Sequence, residues 1–248
     1  MAELWAEILL YMPALLRGAV WTLALAACSA VGAVTVGLLV CGARMSGVTL
    51  LSAPARGFIS LIRGTPLLLQ IFYIYYGLPE LGIVMPAFVA GVLALSLNFG
   101  AYLAELFRGG IQAVDRGQRQ AALALGLSPL QSFALVVAPQ AFRTILPALG
   151  NYATVLVKET SLVATISVLE LMRSGELLAS ATFRVLLIYS LVALIYYTIC
   201  TLIARLFVTA ERRAAIPGSL AAEVMGGSKD AILSRSLSTR SEAPAKSA

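Results

Sequence analysis

GAVWTLALAACSAVGAVTVGLLVCGA, residues 18–43, runs for 26 positions without a charged side chain. A helix rises about 1.5 Å per residue, so about 20 apolar residues cross a hydrocarbon layer of roughly 30 Å. The stretch therefore reads as a membrane-spanning helix. Residues 81–104 and 185–204 are also uncharged, over 24 and 20 positions. Two more apolar stretches carry charge within them: Arg63 lies in 57–79, and the neighbours Lys158 and Glu159 lie in 144–169. The fold class expected is an all-α integral membrane protein with five transmembrane helices. Composition agrees, with 60% hydrophobic residues, 12% charged and a mean hydropathy of +0.90, where soluble domains carry about 25% charged residues.

Five spans place the ends of the chain on opposite sides of the membrane, and Lys/Arg bias selects the orientation. With the N-terminus outside and the C-terminus inside, thirteen of the 18 basic residues fall on the cytoplasmic side. Three (Arg17, Arg173, Arg184) fall outside, and Arg63 and Lys158 fall within spans. The net charge of +6 is thus a cytoplasmic face meeting the lipid bilayer, with no nucleic acid implied. There is no His, and Cys28, Cys41 and Cys200 stand far apart, which argues against metal and disulfide chemistry.

Three regions are expected along the chain. Residues 1–16 form a short interfacial helix, with Leu4, Trp5, Ile8, Leu9 and Met12 at mostly helical spacing. Residues 17–210 form the five-span domain. Residues 211–248, where Ser, Ala, Gly and scattered charges replace the apolar runs, form a disordered cytoplasmic tail.

Steps of three and four return to one helix face. By that spacing Asn151, Thr154, Lys158, Ser161 and Thr165 line the fourth span; Arg63, Pro66, Gln70, Tyr73 and Gly77 line the second; Asn98, Tyr102, Glu105 and Gly109 line the third. A charge near mid-bilayer costs roughly 3 kcal/mol on insertion scales and faces a cavity or a partner. Lys158 and Glu159 point about 100° apart on a helix, so they face different neighbours. Counting along the helices puts Lys158 about 21 Å and Asn98 about 22 Å into their spans, with Gln70 also mid-span. Polar groups of three helices meeting near the midplane make a solute site.

Between the third and fourth spans, 108–143 is a structured loop. A helix over 111–125 is broken at Gly126. Ser128, Pro129 and Gln131 then spell a capping box with Pro at N1, starting a second helix that runs until Pro139. Such a hairpin is a docking element.

These stretches resemble the permease subunits of ATP-binding-cassette importers for polar amino acids, of the histidine, arginine, glutamine and opine type. The resemblance covers about 16–210 and rests on RGTPLLLQ (63–70), GAYLAELFRGGIQAVDRGQ (100–118), AALALGLSPLQ (121–131), APQAFRTILPALGN (138–151) and VKETSL (157–162). It implies a type I importer permease fold in the bacterial inner membrane, with the loop as the family's EAA motif. Gln120, Ala121, Ala122, Gly126, Leu127, Ser128, Pro129 and Pro139 would then couple to a separate cytoplasmic ATP-binding subunit. Gln120 stands where the motif has Glu, and Ala138 where it has Leu. The resemblance further implies a second permease subunit and an extracytoplasmic solute-binding protein. No cofactor binds the chain itself, ATP being used by the partner. The chain is not an enzyme and lacks a GxxxxGK[ST] phosphate loop.

The resulting expectation is a permease translocating polar amino acids, with a bias to cationic ones, or related opines by alternating access. Gln70, Tyr73, Asn98, Lys158, Glu159 and Ser161 would form the solute site. In the family the Lys, Thr and Ser of this motif recur across different solutes while the residue at the Glu159 position varies, which marks Glu159 for selectivity. Arg63 and Glu105 would form a gate or a helix pairing. Two other functions compete: a stand-alone ion-coupled transporter or channel using Lys158 and Glu159, and a non-transporting membrane scaffold whose polar stripes are packing seams.

Overall fold

The computed structural model describes residues 2–214, and every regular element among them is helical. A first compact unit ends at Val208. The expected tail lies, from residue 215 onward, outside the described residues.

Helix α1 runs unbroken over Ala2–Met45. The separate helix expected at 1–16 is therefore a correction: that stretch is the first third of α1. Tyr11 and Leu15 are buried against Leu171, Ile188 and Leu191, so this stretch is held by packing inside the protein as well as by its apolar face. α2 (Thr49–Arg63) and α3 (Leu67–Phe72) follow. α3 continues through a π turn at Tyr73–Gly77 and a 3-10 turn at Leu78–Leu81.

The second expected span is thus not one helix. α2 and the segment Leu67–Leu81 meet at a bend of 107°. Gly64 and Pro66 interrupt the hydrogen-bond ladder there, because Pro supplies no N–H and biases the residue before it away from helix. The stripe Arg63, Pro66, Gln70, Tyr73, Gly77 is consequently divided between two axes.

α4 (Ala87–Ala113), α5 (Arg116–Ala124) and α6 (Pro129–Ser132) come next, then a π turn at Phe133–Val137 that leads into α7 (Ala138–Glu159) and a 3-10 segment, Thr160–Ile166. α8 (Leu171–Thr182) and α9 (Val185–Ala214) complete the described chain. Trp5–Met45, Ala87–Ala113, Pro129–Ile166 and Val185–Ala214 are long and apolar enough to cross a membrane. Counting the bent pair as one span gives five.

Two loop expectations also change. The helix expected at 111–125 is split, since α4 runs on to Ala113 and Asp115 caps α5 by accepting from Gly117 N at 2.6 Å. Nor does Pro139 end its helix. A proline clashes with the carbonyl four residues earlier, and the π turn just before Pro139 widens the ladder and absorbs that clash. The same arrangement recurs where the π turn Tyr73–Gly77 precedes Pro79.

α1 and α4 form the centre of the first unit. Inside a bilayer, helices gain little from apolar burial alone, so close packing through small residues matters. A Cβ added at Gly100 of α4 would sit 2.6 Å from Val36 Cγ1 of α1, and one at Gly37 would sit 2.9 Å from Leu103 Cβ. These glycines set the approach of the two helices. Leu25, Leu95, Phe99, Ile71, Ile145 and Val163 fill the core around that seam.

Candidate functional site

The bend at 64–66 is closed by Gln70. Its Nε2 donates to Ile62 O at 2.8 Å, Thr65 O at 3.1 Å and Thr65 Oγ1 at 2.9 Å. Its Oε1 accepts from Asn98 Nδ2 at 3.0 Å. Both side chains are buried. The structure thus joins two of the expected site residues to each other, and it commits Gln70 to holding the carbonyls that the broken ladder frees.

Beside this clasp lies a cavity of about 450 Å³ walled by Thr65, Pro66, Asn98, Tyr102, Tyr152 and Glu159. The Tyr102 and Tyr152 rings lie 6.1 Å apart with their planes at 42°. Glu159 is half-buried and belongs to none of the described ion pairs. It is the last residue of α7. Beyond it, the hydroxyls of Thr160, Ser161 and Thr165 donate to the carbonyls three residues earlier at 2.7, 2.7 and 2.6 Å. These bonds favour the tighter 3-10 path there. An unpaired carboxylate beside two aromatic faces and an amide attracts a cation that also accepts or donates hydrogen bonds.

The remaining site expectations separate. Lys158 and Ser161 line a different cavity, toward α8 and α9. Tyr73 is 67% exposed and faces an apolar pocket with Leu61 and Leu69. It does not reach Glu159's cavity, because the bend turns it away. Arg63 and Glu105 do not pair with each other. The Arg63 guanidinium lies 5.1 Å from the Tyr102 ring centroid. Glu105 Oε2 accepts from Arg108 Nη2 at 2.7 Å. Arg44 Nε approaches Glu105 Oε1 to 3.0 Å as an ion contact without hydrogen-bond alignment. The 107° bend carries Arg63 onto the aromatic face, while the end of α1 brings Arg44 to the carboxylate.

At the α5–α6 corner, Gly126 adopts φ +83°, the left-handed region. Gly126 N donates to Leu123 O at 3.0 Å and Leu127 N to Ala122 O at 3.2 Å, the bond pair of a Schellman turn. Ser128 then starts α6 with the expected capping box: Gln131 N donates to Ser128 Oγ at 3.3 Å, and Ser128 N donates to Gln131 Oε1 at 2.9 Å. Ala122 is buried and Leu127 half-buried, while Gln120, Ala121, Ser128, Pro129 and Pro139 are exposed. Leu125 and Leu130 stand out at 84% and 76% exposed. Behind the corner lies a cavity of about 830 Å³ bordered by Met45, Ile111, Arg116, Arg119 and Phe133. Two leucines thus protrude on either side of a hydrogen-bonded turn.

Sequence reasoning passed over Glu170. It is fully buried and caps α8 by accepting from Arg173 N at 2.7 Å. Tyr196 OH of α9 and Thr22 Oγ1 of α1 donate to its other oxygen at 2.7 and 3.3 Å. Burial raises its carboxyl above the ordinary value, with the donated hydrogen bonds opposing. Its signal in the sequence was an acid immediately before a helix start, a position where Ser, Thr, Asp or Asn is more usual. Tyr152 was also missed, lying one position off the polar stripe.

Comparison with known proteins places this geometry. Residues 33–216 match the family model described as binding-protein-dependent transport system inner membrane component. A probable amino-acid ABC transporter permease protein, y4tG of Sinorhizobium fredii, is 39% identical over 193 residues, 78% of this chain and 83% of that protein. The glutamine transport system permease protein GlnP of Escherichia coli is 37% identical over 211 residues, 84% of this chain and 96% of GlnP. Among solved structures, an amino acid ABC transporter crystallised with histidines matches with a TM-score of 0.79 at 39% identity, over 84% of this chain and 97% of that one. The MetNI methionine ABC transporter in an inward-facing conformation shares the fold, with a TM-score of 0.71 at 17% identity over 83% of this chain and 98% of that one.

Proposed function

The chain belongs to the family of binding-protein-dependent inner membrane transport components, and on that premise we propose that it moves polar amino acids, with a bias to cationic ones, by alternating access. It is an amino-acid ABC transporter permease of the inner membrane, a transport component and not an enzyme. In our reading the N-terminus lies outside and the C-terminus inside, a cytoplasmic ATP-binding subunit seats on Leu125, Gly126 and Leu130, a second permease subunit completes the pathway, and an extracytoplasmic solute-binding protein delivers the solute.

The observation that supports the cationic bias is the free carboxylate of Glu159 in the cavity it shares with Asn98, Tyr102 and Tyr152. Opposite charge and a π face both favour a guanidinium or ammonium group there. Gln70 serves this site through Asn98, as a positioning residue. Arg63, on the Tyr102 ring beside the cavity, and Glu105, tied to Arg44 and Arg108, act in separate places in this reading, the first as a gate and the second as a helix pairing.

The test is the ratio of arginine to glutamine uptake by the reconstituted complex, with and without Glu159→Gln. The reading expects arginine uptake to fall at least about tenfold relative to glutamine, the scale of one charge-assisted contact. An unchanged ratio would remove the cationic bias.

A further inference from the structure

Lys158 adjoins Glu159 in sequence, yet it borders a separate groove of about 330 Å³ with Ser161, Met172, Tyr189, Val192 and Tyr196. The carboxylates of the described ion pairs are engaged elsewhere: Glu105 with Arg44 and Arg108, Glu176 with Arg173, and Glu7 with Arg184. Glu170, behind the groove wall, is fully buried and holds Thr22, Tyr196 and Arg173 N. Glu159 opens on the other cavity. Lys158 therefore meets no acid of its own chain in those pairs, and an ammonium inside a membrane span calls for one.

The polar atoms left in the groove narrow the ligand. Ser161 spends its hydrogen on Lys158 O at 2.7 Å, and Tyr196 spends its own on Glu170. The donors that remain are the Lys158 ammonium and the Tyr189 hydroxyl. The ligand is thus an acceptor-rich anion.

Position then selects its source. Lys158 stands eight residues before Ile166, where the span ends, a distance of about 12–16 Å at 1.5–2.0 Å per residue. Tyr189 stands four residues, about 6 Å, into α9. The headgroup layer occupies about 5–7 Å of each face of a bilayer, and a lysine stem extends its ammonium toward that layer. Along α9 beside the groove, Leu186, Leu194 and Tyr197 are strongly exposed, a wall suited to acyl chains.

We propose that this groove binds the phosphate of an anionic membrane lipid, with Lys158 as its cation, Tyr189 as a second donor, and Met172 and Val192 against the glycerol and first methylenes. The proposal needs the chain to lie in a membrane and does not depend on which solute Glu159 selects.

The test is native mass spectrometry of the delipidated complex titrated with phosphatidylglycerol or phosphatidylcholine, with inorganic phosphate as a competitor. The wild type should retain one phosphatidylglycerol per copy of this chain in preference to phosphatidylcholine, and inorganic phosphate should not displace it. Lys158→Gln should weaken retention at least about tenfold, and Lys158→Arg should restore it. Tyr189→Phe should weaken it by a smaller factor, which keeps the test available if Lys158→Gln does not fold. Arg17→Gln, a charge change outside the groove, should leave it unchanged. The proposal is overturned if Lys158→Gln and Tyr189→Phe bind as wild type, if inorganic phosphate empties the site, or if Lys158→Cys cross-links to a second permease copy, which would make the groove a subunit interface.

Discussion

Replacing Gly126 tests the coupling corner by backbone strain alone. Its φ is +83°, and an added Cβ would meet nothing within 4 Å in this chain, so any loss within the permease comes from conformation. An L-residue in the left-handed region costs about 1–2 kcal/mol, which shifts the population of the intact Schellman turn about 5–30-fold. Gly126→Ala should therefore weaken association with the ATP-binding subunit by about that factor. Gly126→Asn should weaken it less, because Asn tolerates the left-handed region. The assay is the equilibrium affinity of the purified ATP-binding subunit for the permease in nanodiscs, with circular dichroism to check that helix content is intact. If Ala binds as wild type, the turn's strain does not govern docking. If Asn binds more weakly than Ala, side-chain bulk against the partner decides, and the strain argument fails.

Three further outcomes follow from the packing and the buried polar groups. Gly100→Val should lower the melting temperature by an overpacking cost of about 1–3 kcal/mol, since its Cβ falls 2.6 Å from Val36 Cγ1; a scan showing no loss would mean that α1 and α4 separate freely. Gln70→Leu removes the donors to Ile62 O and Thr65 O and the acceptor for Asn98, costing about 1–3 kcal/mol for each buried group left unsatisfied; urea unfolding at wild-type stability would show that the bend does not need its clasp. Glu170 lies outside the spans with its carboxyl raised by burial, so its neutral form favours the fold. That stability is fully present below the ordinary carboxylate value and is lost as pH rises through the raised one; Glu170→Gln should flatten this part of the melting profile, and a profile identical to wild type would assign the dependence elsewhere.

Three of the apolar helices were legible because absence of charge over 20 or more residues is a one-dimensional signal, and the capping box at Ser128–Gln131 was legible because it is local. The bend at Gly64–Pro66 was harder to see. Its punctuation is present, but Gln70 restores the lost bonds from within the same apolar run, so the run reads as continuous. Prolines misled similarly at 139, where a π turn carries the helix onward. The polar stripe of the third span pointed to Asn98 and the mid-span charge to Glu159, and both line one cavity, yet neither signal could show that Gln70 would be spent on backbone carbonyls or that Tyr73 would turn outward. The partners of Arg63 and Glu105 depend on how separate helices register, information that spacing along one helix does not contain. Glu170 stayed hidden for the same reason, its three donors coming from α1, α8 and α9.

The most direct test of the account is uptake of a labelled cationic amino acid into proteoliposomes holding the permease pair that contains this chain, the ATP-binding subunit and the solute-binding protein. Uptake should require all three, stop with an ATPase-dead subunit, and survive an uncoupler. Uptake that continues with the ATPase-dead subunit and collapses with the uncoupler would contradict the account and mark an ion-coupled transporter instead.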